Sequence, residues 1–128
     1  MEDIRNDDDI RLLVETFYGR IQENERLNHI FSDVTGVDWD RHLPTMVDFW
    51  SNLIFQTGRY KGRPFRQHMP LPIKESDFHL WYGLFVETVD DYFKGPEAEY
   101  AKEMAAKIAA SFSLRMKMEG KYESKQEG

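Results

Sequence analysis

Apolar residues return at steps of three and four in four stretches of this chain, and no stretch alternates convincingly with period two. The pattern predicts an all-α protein. The first helix is expected after Asp9, a suitable N-cap, with Ile10, Val14, Phe17, Tyr18 and Ile21 on one side. A shorter, turn-rich piece follows over residues 25–31. The second long helix is expected over about 38–56, with Trp39, Leu43, Met46, Phe49, Trp50 and Leu53 on one broad face. Pro44 should bend its first turn, because proline removes a backbone donor. Gly58 and Gly62 end this helix. The third is expected to be capped near Ser76 or Asp77 and carries the stripe Phe78, Trp81, Tyr82, Phe85, Val89 and Tyr92. The fourth opens at Pro96, well placed in a first helical turn, and presents Ala101, Met104, Ala105, Ile108 and Phe112. Residues 57–75 read as an irregular stretch with at most a short helix around His68. Loops of that length are uncommon in compact domains and are often functional.

The chain has 128 residues, which suits one domain spanning 1–128. Its core is expected over about 8–118, with a loose acidic N-terminus and a charged, frayed tail at 119–128. A net charge of −6 argues against nucleic acid, whose phosphates demand a basic face, and against an anionic membrane surface. No apolar run is long enough to span a bilayer, and residues 1–6 lack a signal-peptide pattern. The absence of cysteine excludes disulfides, thiolate metal sites and covalent attachment of a c-type haem. Together these features imply a cytoplasmic location. Nine Phe, six Tyr and three Trp make up an aromatic load that suits either dense packing or the wrapping of a large flat apolar ligand.

His68 is the residue that most narrows the chemistry. It lies among Pro64, Phe65, Met69, Pro70, Leu71 and Pro72, so its imidazole would be a neutral nitrogen donor on a short, stiff element in apolar surroundings. One histidine does not hold zinc tightly, but one axial imidazole and an apolar pocket suffice for haem iron. A histidine near apolar residues is also commonly just a packed or surface side chain, and that reading stays open at this point. Tyr18 falls on the apolar stripe of the first helix, where a buried hydroxyl needs a partner. His42 follows Trp39 by three and precedes Met46 by four, on the inward edge of the second helix. Trp81 is central to the third stripe and brings an indole N–H that is costly to bury unpaired. The rivals are weaker: His79 is turned away from the core by the stripe around it, and His29 sits among polar residues.

Seven short motifs in order carry a family likeness: Phe17-Tyr18, Ile30-Phe31, Trp39-x-x-His42, Phe49-Trp50, Tyr60-x-Gly62-x-Pro64, His68-x-x-Leu71-Pro72 and Phe78-x-x-Trp81-x-x-Leu84-Phe85. In this order and spacing the chain resembles the group III truncated globins over about residues 8–118. The resemblance implies a two-over-two helical sandwich around haem b, with His68 as the proximal iron ligand. Tyr18 and Trp81 would be distal hydrogen-bond donors, His42 would gate or tune access, and Phe31 would stack on the porphyrin. Phe49, Trp50, Tyr60, Arg63, Phe65, Met69 and Leu71 would complete the haem contacts, with Arg63, Arg66 and Tyr60 as candidates for the propionates. The partners implied are dioxygen, nitric oxide or related diatomics, with an external electron donor or reductase, since no Gly-x-Gly-x-x-Gly motif is present. Redox chemistry on dioxygen, nitric oxide or peroxide is the first functional expectation. An oxygen storage or sensing module is the second, and a cofactor-free helical interaction domain the third. The oligomeric state is not legible in the residues.

Overall fold

A computed structural model describes residues 1–30, 38–58 and 74–118 of the chain. The helices are α1 (Asp7–Glu23), α2 (Glu25–Asn28), α3 (Trp39–Phe55), α4 (Glu75–Tyr92) and α5 (Pro96–Met118), and no strand occurs among the described residues. Helix α1 packs on α3 and α4 on α5; α1 also crosses α4, and α3 meets α5. This is the two-over-two helical arrangement that the sequence resemblance implies.

Helix α1 starts three residues earlier than the pattern predicts. Asn6 is its cap: the side-chain oxygen accepts from the Asp9 N–H at 3.0 Å, so Asp9 belongs to the first turn. Three aspartates there oppose the positive end of the helix dipole, and Asp7 also accepts from the buried hydroxyl of Ser51 on α3 at 2.8 Å. The stripe Ile10, Leu13, Val14, Phe17, Tyr18 and Ile21 is buried. Helix α2 is a single capped turn, with Asn24 accepting from the Leu27 N–H at 3.0 Å.

Helix α3 runs through Pro44, which sits in its second turn. Pro44 and Asp40, whose carbonyl loses its partner, are both exposed, so water can take that acceptor and the helix continues. Helix α4 begins earlier than expected, after Lys74. Asp77, in its first turn, reaches back to accept from the Lys74 N–H at 2.8 Å. Its predicted stripe needs one correction. Tyr92, placed on the core side by the periodicity, is 42% exposed, because it is the last residue of the helix and Phe93 beyond it turns inward instead.

The sequence suggests a loose N-terminus, yet the structure seats Ile4 in the core and makes Asp3 the acceptor for the first turn of α5. The Asp3 carboxylate takes the Glu97 N–H at 2.9 Å and the Ala98 N–H at 2.8 Å, two donors a helix start leaves unpaired. Gly95 makes room for it: a Cβ there would lie 2.5 Å from Asp3 Cγ, and its φ of +148° is itself glycine territory. Burial works to raise the Asp3 pKa, but these N–H donors outweigh it and hold the carboxyl below its usual range. No helix among the described residues is long and apolar enough to cross a membrane.

Candidate functional site

Tyr18 comes from the middle of α1, where its neighbours Val14, Phe17 and Ile21 bury the stripe and leave the ring 5% exposed. Opposite it is the first turn of α3. The Tyr18 ring meets His42 edge-on, with centroids 5.5 Å apart and planes at 87°, and tilts against Trp39 at 5.6 Å. Trp39 and His42 also touch each other at 5.6 Å. One turn of α3 thus delivers both rings onto one tyrosine, as a three-residue step on a helix requires. His42 and Trp39 are each half-buried.

Trp81 arrives from α4. It packs edge-to-face on Phe17 at 5.6 Å and stacks on Phe85 at 6.0 Å, with Phe85 in turn stacked on Trp50 at 4.6 Å. Phe17 also lies 4.9 Å from Tyr18, so it separates Tyr18 from Trp81 while touching both. Such aromatic pairs contribute about 0.5–1.5 kcal/mol each beyond area burial, which makes the cluster stiff. The Trp81 indole N–H has no hydrogen-bond partner among the described residues, although the ring is half-buried. An unpartnered donor beside an aromatic cluster is a place for a ligand acceptor.

Of the other expected residues, Phe49 is half-buried against Trp50 at 5.4 Å, and Trp50 itself is a fully buried core residue. Phe31, Tyr60, Arg63, Phe65, Arg66, His68, Met69 and Leu71 lie outside the described residues. His29 and His79 are both exposed. Among the described residues no three His, Cys, Asp or Glu side chains gather to hold a metal ion. The sequence places Trp39 on the apolar face of its helix, three before His42, with no part in the site; the structure joins it to both His42 and Tyr18.

A flat apolar group of porphyrin type fits what is present. Leu43, Leu53, Trp81 and Leu84 pack on the core from α3 and α4 and stay half-buried, so each keeps apolar surface exposed. Tyr18 and Trp81 add two polar donors among these otherwise apolar side chains.

Comparison with known proteins agrees with this architecture. The sequence profile of the family described as "Bacterial-like globin" matches residues 1–117. The chain is similar to the group 3 truncated hemoglobin ctb of Campylobacter jejuni, 27% identical over 111 residues that cover 84% of this chain and 87% of that one. The fold is similar to the crystal structure of the group III truncated hemoglobin from Campylobacter jejuni, with a TM-score of 0.82 and 27% identity, covering 90% of this chain and 94% of that chain.

Proposed function

The chain belongs to the bacterial-like globin family, and from that premise we propose that it carries haem b on His68 and performs redox chemistry on dioxygen, nitric oxide or peroxide, not bulk oxygen carriage. The family implies a haem cofactor and the binding of small diatomic ligands. Haem, when bound, supplies the iron at which such ligands attach and exchange electrons. The protein's contribution is to hold, shield and polarise.

In this reading the His68 imidazole would hold the haem iron. The Tyr18 hydroxyl and the Trp81 indole N–H would donate to the bound ligand, and His42, whose ring Tyr18 and Trp39 bracket, would tune entry. Phe31, Phe49, Tyr60, Phe65, Met69 and Leu71 would supply apolar contacts, and Arg63, Arg66 or Tyr60 would meet the propionates. The observation that carries the reading is the pairing of a nearly buried Tyr18 with an unpartnered Trp81 N–H across Phe17. Two hydrogen bonds to a charged acceptor, about 1.5–3 kcal/mol each, would slow ligand escape by roughly two to four orders of magnitude. Slow release is poor for transport and suits a protein that converts what it holds. An external reductase would supply the electrons, and the cytoplasm is the proposed compartment.

A visible absorption spectrum of protein purified from haem-replete cells tests the assignment. His68→Gly should abolish the His-ligated spectrum, whereas His79→Ala should leave it almost untouched. The reverse pattern would overturn the ligand assignment, and a colourless protein indifferent to added hemin would overturn the haem reading itself.

A further inference from the structure

The α5 helix presents an outer face that complements itself. Leu114 is 57% exposed and, with Ala106, Ala110, Ser113, Phe78 and Tyr82, lines a cleft of about 330 Å³ between α4 and α5. Along α5 it forms a knob at one end of this cleft, with the small Ala106 toward the other. Glu103, Ala106, Ala110, Leu114 and Lys117 share this face, since steps of three, four and seven return to one side of a helix. Along it the charge runs from acidic to basic: Glu103 lies before the small residues and Lys117 after them, and both are exposed.

We propose that this face is the contact between two copies of the chain, with the α5 helices antiparallel about a two-fold axis at Ala110. That operation sets Leu114 over the partner's Ala106 and Glu103 opposite the partner's Lys117, each contact occurring twice, as an isologous interface requires. Small residues at the crossing let the helix axes approach to about 8 Å. A parallel arrangement would oppose glutamate to glutamate and knob to knob, so the charge order selects the antiparallel one. The present partners of these charges compete weakly. Lys117 reaches Glu75 at 3.9 Å and Glu103 reaches Lys107 at 4.0 Å, with all four side chains about half exposed or more. Solvated pairs of that kind exchange readily.

The face is one helix wide and runs roughly 21 Å from residue 103 to 117 at 1.5 Å per residue. A face one helix wide is small beside the roughly 1,200 Å² of a stable pair, so the dimer is a weak one that forms only at high protein concentration. The test is sedimentation equilibrium of the full, haem-loaded chain from about 10 µM to 1 mM at physiological ionic strength, where screening shortens the reach of the overall −6 charge. The average mass should climb from one chain toward two. Ala110→Glu, which sets two carboxylates face to face on the axis at an exposed helix position, should hold the chain monomeric with an unchanged far-UV spectrum. Glu103→Lys should weaken association about tenfold, and Glu103→Lys with Lys117→Glu should restore it. A wild-type chain that stays monomeric at 1 mM, whether a different protein or its own residues 119–128 cover the cleft, would overturn the proposal. So would a dimer indifferent to Ala110→Glu, or a double exchange that brings no recovery.

Discussion

Tyr18 and Trp81 reach the same aromatic cluster from helices far apart in the chain, and each brings one donor to surroundings that are otherwise apolar. If both donate to the bound ligand, Tyr18→Phe should speed dioxygen escape by roughly 10–100-fold, and Trp81→Phe should do the same. Each change deletes a donor and keeps an aromatic ring, so the haem spectrum should survive. Stopped-flow ligand replacement measures the rates, and off-rates unchanged in both variants would remove the distal assignment. Trp39 illustrates what a residue list misses. Its three-residue step to His42 is plain in the sequence, but only the approach of α1 makes it a neighbour of Tyr18 as well.

Between elements, the join most hidden from the sequence is α2 to α4. Arg26 donates to both carboxylate oxygens of Asp77, Nε to Oδ1 at 3.0 Å and Nη2 to Oδ2 at 2.8 Å, across 51 residues of chain. Asp77 is 5% exposed, and the same carboxylate receives the Lys74 N–H at the start of α4. One group thereby caps a helix and clamps its neighbour. Arg26→Ala leaves that carboxylate short of its charged partner, and the expected loss is about 1.5–3 kcal/mol at neutral pH, read from denaturant unfolding. Burial alone would raise the Asp77 pKa; the Arg26 guanidinium and the Lys74 N–H overcome it and hold the carboxyl below its usual range. The clamp's contribution is therefore complete above the unfolded value of about 3.9 and is lost as pH falls through the lower folded one. The gap between wild type and variant should close in acid. A gap that stays constant from pH 7 to pH 2 would mean the arginine acts by packing alone.

For the molecule as a whole, Asp3 and Asp77 tie the N-terminus to α5 and α2 to α4, and both carboxyls are held low in the folded state. Each binds a proton more readily when the chain unfolds, so wild-type stability should fall below about pH 4. The double variant Asp3→Asn with Asp77→Asn should be less stable at pH 7 yet show a flatter acid limb in a pH series of unfolding curves. An acid limb as steep as the wild type's would assign that steepness to other carboxylates. The all-α class, four long helices and nearly all their buried stripes were legible in the amino-acid order, because helical periodicity is a local property carried by neighbours three and four apart. Asn6 in place of Asp9 as the cap, and Tyr92 outside the core, were not, since helix ends depend on what packs beyond them. By itself the order of residues determined where apolar surface would gather and which side chains could supply donors, Tyr18, His42 and Trp81 among them. Only the tertiary structure decided that Tyr18 would meet His42 and Trp39, that Phe17 would stand between Tyr18 and Trp81, and that Arg26 would find Asp77. Those contacts join residues distant along the chain, and their partners are chosen by how whole helices pack, a choice no local spacing encodes.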